Sequence, residues 1–151
     1  MTQTVASGQS SLMRAAVLFV AGFISVLAFH QLLWAGLLGA GIVPAGAYEP
    51  WSLASTPPFG LPSVISMAFW GGLWAILIGT ILRNAQGPSY WLGWFAWGAL
   101  GPTLVTLFIV TPLKGEPFAD MLLARFVIGF VVNGVFGLGS ALLLSLAKAR
   151  R

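Results

Sequence analysis

His30 is the one histidine in the sequence, and it lies inside a long apolar stretch next to Gln31. A neutral imidazole can bind haem iron or the magnesium of a chlorophyll-type pigment, and an imidazole that titrates can carry protons. The ring can also form a hydrogen bond to a polar group of a neighbouring helix. A single histidine supplies one axial ligand, so two-histidine haem ligation would need a second copy or a partner subunit. Of these roles, we expect the polar tie between helices.

Further polar residues interrupt other apolar stretches: Thr103, Thr106 and Asn133. Polar side chains inside a membrane are costly and by default suggest a functional site. Together with His30 and Gln31 they form the predicted polar cluster, which contacts either a substrate or a neighbouring helix. Pro102 should break its helix near the centre, because proline has no N–H to donate. The sequence has no HExxH motif, no phosphate-binding loop and no pair of carboxylates in an apolar stretch, so it does not predict an enzyme.

The composition indicates that lipid surrounds most of the chain. Hydrophobic residues make up 58% of the sequence and charged residues 7%, whereas soluble domains carry about 25% charged residues. The seven basic residues are scattered, which does not favour nucleic-acid binding. The absence of cysteine excludes disulfides and thiolate metal sites.

Four apolar stretches are each long enough to cross a bilayer as a helix, which needs about 20 residues. They cover residues 12–38, 61–82, 90–111 and 121–147. The stretches are continuous and do not alternate, which favours helices over strands. We therefore predict an all-α polytopic membrane protein, with a single transmembrane domain over residues 1–151 that forms a compact bundle of four transmembrane helices.

The basic residues predict the orientation of the bundle, because loops rich in Lys and Arg stay in the cytoplasm. One side would hold Arg14, Arg83, Lys148, Arg150 and Arg151, and the other would hold Lys114 and Arg125. This distribution places both termini in the cytoplasm. The loop over residues 39–60 is rich in proline and aromatic residues, contains no Lys or Arg, and should lie outside. The expected location is the inner membrane of a bacterium.

Rows of small residues at four-residue spacing predict close helix packing, which in lipid depends on backbone approach. The packing residues of the second helix are Gly71, Ala75 and Gly79, and those of the fourth are Gly129 and Gly137. These rows suggest that the second and fourth helices contact each other.

The charged and aromatic residues near the ends of the spans are expected to act as anchors. Arg125 should extend its long side chain to the membrane interface and pair there with Asp120. Trp91 and Trp94 lie where interfacial aromatic residues are expected.

The sequence leaves three functions open. The first is a non-catalytic accessory or structural subunit that contacts the lipid bilayer and other membrane subunits or further copies of itself. The second is a small oligomeric transporter or channel that uses the polar cluster. The third is a haem-binding or pigment-binding subunit in which His30 is the ligand. No other cofactor and no metal site is predicted.

Overall fold

A computed structural model describes residues 2–115 and 122–149. Its four long apolar helices confirm the predicted all-α class, and each is able to span a membrane by length and composition. The described spans are Ser11–Gly39, Ser63–Ile81, Gly87–Leu113 and Leu122–Ala147. We refer to them as the first to fourth spans. Met121, where the fourth was predicted to begin, lies outside the described residues.

Two of the spans are composed of several helical segments. The first consists of α1 (Thr2–Ser25) from Ser11 onward, a first π-helical turn (Val26–His30) and α2 (Gln31–Gly39). The second is α3 (Ser63–Ile81). The third contains α4 (Gly87–Val105), a second π-helical turn (Thr106–Val110) and α5 (Thr111–Leu113), and the fourth is formed by α6 (Leu122–Ala149).

The loop between the first and second spans contains a short antiparallel pair of strands, β1 (Ser55–Thr56) and β2 (Leu61–Pro62). Ser55 pairs with Pro62, and Thr56 pairs with Leu61. The helix of the second span begins directly after Pro62, whose extended backbone ends the strand. The next span begins with Gly87 at a φ of +55° followed by Pro88, a residue whose fixed φ suits the first helical turn.

The predicted break of the helix at Pro102 was wrong. The residue lies inside α4, and the helix continues past it. The disturbance appears four residues later, where the backbone widens into the second π-helical turn. The N–H of Thr106 bonds the carbonyls of Pro102 and Thr103, so the chain passes into this turn without leaving the helical conformation.

The helices pack mainly in two pairs, the first span on the second and the third on the fourth, with α1 also touching α6. The expected tight contact between the second and fourth helices is not one of these main pairs, although a Cβ at Gly71 would lie 3.4 Å from the Phe136 Cε2 atom of the fourth span. A methyl group at Gly79 would meet Leu18, and one at Gly71 would meet Val26, both on the first span. The row on the second span therefore faces the first span, where it meets Leu18, Val26 and also the backbone of Gly22.

The row on the fourth span faces the third in the same way. A Cβ at Gly129 would lie 3.0 Å from the Thr103 Cγ2 atom, and one at Gly137 would collide with the Trp94 carbonyl oxygen. Trp94 is only 1% exposed, so its interfacial assignment was wrong. Trp91, three residues earlier on another side of the helix, is 39% exposed, as an interfacial residue should be.

The two ends of the bundle differ in charge. Arg14 and Arg83 line one cavity together with Ala147, so the start of the first span and the end of the fourth share an end. We call this the basic end. The opposite end carries the long loop over residues 40–62, and we call it the loop end.

Candidate functional site

A cavity of about 630 Å³ lies between the spans at the loop end. All four spans contribute to its wall, and the loop between the first two closes part of it through Val43, Pro44, Ala47 and Tyr48. We call it the loop-end cavity. Its size is within the range of pockets that hold small molecules.

Both π-helical turns line this cavity. Val26 and His30 come from the first turn, and Thr106 and Leu107 from the second. A π-helical turn inserts an extra residue, and such turns are frequent at functional sites. In this bundle they occur in two different spans and line the same cavity.

His30 is 7% exposed and lines the loop-end cavity. Its Nδ1 atom is buried and has no hydrogen-bond partner within residues 2–115 and 122–149. The ring packs edge-on against Tyr48, with centroids 6.4 Å apart. A buried polar atom without a partner is unfavourable by about 1–3 kcal/mol, which a hydrogen-bonding ligand would offset.

Asn133 connects the third and fourth spans. Its Nδ2 atom donates to the Thr103 Oγ1 atom at 2.9 Å. Thr103 is 2% exposed, and both residues line the cavity. The bond uses one of the two amide N–H groups of Asn133. The pair therefore holds two helices together and also presents polar atoms to the cavity.

Gln31 holds the loop against the bundle. Its side chain is fully buried, and its Nε2 atom donates to the Tyr48 hydroxyl oxygen at 3.0 Å. Its Oε1 atom accepts from the Trp51 backbone N–H, also at 3.0 Å. The Trp51 indole in turn donates to the Leu27 carbonyl at 2.8 Å. The sequence suggested a tie between helices for Gln31 and His30, whereas Gln31 mainly ties the loop to the first span and meets the second span only through the Met67 sulfur, at 3.6 Å.

Tyr48 forms the part of the loop that meets the cavity. Its ring stacks on Trp34 with centroids 4.4 Å apart. Burial raises the pKa of the Tyr48 hydroxyl above its ordinary value of 10.0, and the hydrogen bond with Gln31 opposes this rise only in part. The hydroxyl therefore stays neutral at physiological pH and acts as a hydrogen-bonding group.

The remaining wall combines aromatic surface with one cation. Trp70 and Trp74 both line the cavity, and Gly101 leaves room for the Trp74 ring, whose Cζ3 atom would lie 2.7 Å from a Cβ there. Arg125 lines the same space and is exposed. Its predicted partner Asp120 lies outside the described residues.

The structure brings most of the predicted polar cluster to one place. His30, Thr103, Thr106 and Asn133 all line the cavity, whereas Gln31 lies beneath the loop. Sequence analysis missed Thr111 and the aromatic pair Trp34 and Tyr48. The pair had one detectable signal, which is a loop rich in aromatic residues next to the span that holds Trp34.

The cavity offers hydrogen bonds, apolar contact and one cationic side chain, Arg125. Within the described residues, no group of three or more His, Cys, Asp or Glu side chains could hold a metal ion. The arrangement suits a molecule with a polar group for His30, Asn133 and Arg125 and an apolar part for the tryptophans.

Comparisons with family models, with curated proteins and with solved structures find no match to this chain.

Proposed function

We propose that this integral membrane protein is a non-catalytic binding protein for a small amphiphilic molecule, which it holds in the loop-end cavity. The observation that carries this proposal is the buried Nδ1 atom of His30, which has no partner in the described part of the chain although its ring lines a cavity of about 630 Å³. Intramembrane polar side chains that face a cavity mark substrate pathways in many transporters. The small oligomeric transporter suggested by the sequence would be a protein of this kind, which moves the bound molecule across the membrane.

The ligand class follows from the wall of the cavity. Arg125 and the neutral polar side chains suit a carboxylate or another anionic head. The tryptophan surfaces of Trp70 and Trp74 suit an aliphatic or ring-containing body. The cavity has its polar wall and its aromatic wall at the same end of the bundle, so a short amphiphile can contact both.

Binding can be tested with a matched pair of probes, decanoic acid and decanol, added to the detergent-purified full chain in native mass spectrometry. We expect the acid to be retained by the wild type and lost from His30→Phe and Asn133→Leu. His30→Phe keeps a planar ring and removes the two nitrogens. The control Gln86→Leu removes an exposed amide in the turn before the third span and should retain the acid.

Equal retention of the acid by all four proteins would refute the proposed site. Preference for decanol would assign the cavity a neutral ligand and refute the anionic head group. A flux assay in liposomes with the same variants then separates a transporter, whose flux depends on His30, from a protein that only binds.

An accessory subunit of a larger membrane complex is the second candidate function. It is favoured by apolar side chains that stand exposed at the loop end, where Leu53 is 76%, Phe59 82% and Leu113 82% exposed. Such residues suit either lipid or a protein partner. Extraction from native membranes in a mild detergent, followed by a native mass, tests this role, and a monomer without partners would count against it.

The haem or pigment hypothesis depends on His30 as a single axial ligand. An absorption spectrum of protein purified from a host that makes these cofactors tests it directly, and a colourless preparation would reject it. The proposed location, a bacterial inner membrane, rests on the distribution of basic residues in the sequence.

A further inference from the structure

A second cavity, of about 470 Å³, lies at the basic end of the bundle. Two arginines line it, Arg14 at the start of the first span and Arg83 just after the second. Tyr90 and Trp94 of the third span form another part of its wall. We call it the basic cavity. It shares no lining residue with the loop-end cavity.

Arg14 is held in place by the end of the second span. Its Nη2 atom donates to the Gly79 carbonyl at 2.9 Å, near the last turn of α3, where helix carbonyls lack backbone partners. A guanidinium group has five N–H donors, and this bond uses one of them. The bond therefore fixes the position of the cation and leaves donors for a ligand.

No acidic side chain is among the described residues that line this cavity. The sequence contains three acidic residues: Glu49 in the loop between the first two spans, and Glu116 and Asp120 between the third and the fourth. Both connections follow spans that run away from the basic end. By contrast, Lys148, Arg150 and Arg151 follow directly after Ala147, which lines the cavity.

We propose that the basic cavity binds a phosphate group, with Arg14 and Arg83 as its ligands. Two guanidinium groups around one space provide the fork-shaped donor geometry that phosphate oxygens accept. Met13, which also lines the cavity, is 61% exposed and belongs to the first span, so lipid would surround it in a membrane. An acyl chain can therefore leave the cavity along this residue, which favours an anionic phospholipid over a free phosphate as the source of the group.

The test uses native mass spectrometry of the full chain in detergent with three probes added separately: phosphatidylglycerol, phosphatidylcholine and inorganic phosphate. For the wild type we expect one retained phosphatidylglycerol and weaker retention of phosphatidylcholine, whose head group is neutral overall. Arg14→Gln and Arg83→Gln should each weaken phosphatidylglycerol binding about tenfold, which is the effect of losing one charge-assisted contact. Retention of inorganic phosphate instead of lipid would keep the phosphate site and assign it a soluble source.

The control is Lys114→Gln, which removes the same charge at the loop end, outside the basic cavity. It should bind phosphatidylglycerol as the wild type does. An equal loss in Lys114→Gln and Arg83→Gln would overturn the proposal, because binding would then depend on net charge alone. Wild-type affinity in the Arg14→Gln/Arg83→Gln double variant would overturn it as well.

Folding of the variants is checked by circular dichroism. If Arg14→Gln loses structure together with its bond to Gly79, Arg83→Gln carries the test, because Arg83 lies in an exposed turn. All of these substitutions lie outside the loop-end cavity, so their outcome is independent of the decanoic acid experiment.

Discussion

At the scale of single residues, the neighbours His30 and Gln31 illustrate what a sequence can and cannot show. Both were identified from their polarity within an apolar stretch, and a structural tie was the expected role for both. Successive residues on a helix point about 100° apart. The His30 ring therefore faces the cavity, while the Gln31 amide faces the loop. Which residue would take which role depends on the path of the loop, and residues 40–62 have no periodic pattern that reveals it.

We expect Gln31→Leu to destabilise the protein by about 1–3 kcal/mol, because two partly buried polar groups of the loop would lose the amide to which they bond. The Trp51 N–H and the Tyr48 hydroxyl would both lose the contact they make with this side chain. Thermal unfolding in detergent measures the change, and protease sensitivity of the loop should rise with it. Gln86→Leu, an exposed control, should stay within about 0.5 kcal/mol of the wild type. Equal stability of the two variants would contradict the anchoring role.

Tyr48 should deprotonate above pH 10, because burial raises its pKa from the ordinary value of 10.0. A raised pKa means that folding favours the neutral phenol. This contribution to stability is complete below pH 10 and is lost as the pH rises through the folded-state pKa. In a Tyr90→Phe variant, Tyr48 is the only tyrosine, so ultraviolet absorbance reports its titration alone. A midpoint at or below pH 10 would show that the loop does not bury this hydroxyl.

At the scale of elements, small residues correctly marked the faces where helices approach but not the helices that they meet. Gly71 and Gly79 accept Val26 and Leu18 of the first span, and Gly137 lies against the backbone at Trp94. A row of glycines predicts that a neighbouring helix approaches closely at that face. It does not say whether the neighbour supplies a branched side chain, an aromatic ring or its own backbone, so the pairing had to come from the structure.

Gly137→Ala should separate the third and fourth spans. The added methyl group would collide with the Trp94 carbonyl oxygen, a backbone atom that cannot rotate away. Overpacking of this kind costs about 1–3 kcal/mol, and thermal unfolding in detergent measures it. Gly36→Ala is the matched control, because a Cβ at that helical position has no other atom within 4 Å. The contact is unimportant if both alanine variants unfold at the same temperature.

At the scale of the whole molecule, hydropathy located all four spans to within a few residues where the structure describes their ends. The predicted 61–82 is observed as Ser63–Ile81, and the predicted 90–111 as Gly87–Leu113. Lipid requires a certain length and a continuous apolar composition of each span, and both can be recognised from one contiguous stretch of the sequence. The cavities cannot be recognised from any single stretch of the sequence. Each joins residues from all four spans, and the loop-end cavity is also lined by residues of both π-helical turns, so each cavity depends on how the helices pair.

The orientation of the bundle in the membrane predicts on which side each of the two proposed sites lies. The basic end carries Arg14 and Arg83, and the sequence adds three more basic residues after Ala147. The remaining two basic residues are Lys114, directly after the third span, and Arg125, near the start of the fourth. This excess should hold the basic end in the cytoplasm. The basic cavity would then face the leaflet that is rich in anionic lipid, and the loop-end cavity would open toward the outside.

Single-cysteine labelling in intact bacterial cells tests this orientation, since the chain has no cysteine of its own. Asn84 and Ala54 are exposed at the basic end and the loop end, respectively. A membrane-impermeant maleimide should label Ala54→Cys in intact cells and Asn84→Cys only after lysis, while the wild type stays unlabelled. The reverse pattern would place the basic cavity outside and remove the argument for a cytoplasmic lipid as its ligand. Because Arg14 and Arg83 would still line one space, the phosphate site itself would stand, and its source would have to be sought on the other side of the membrane.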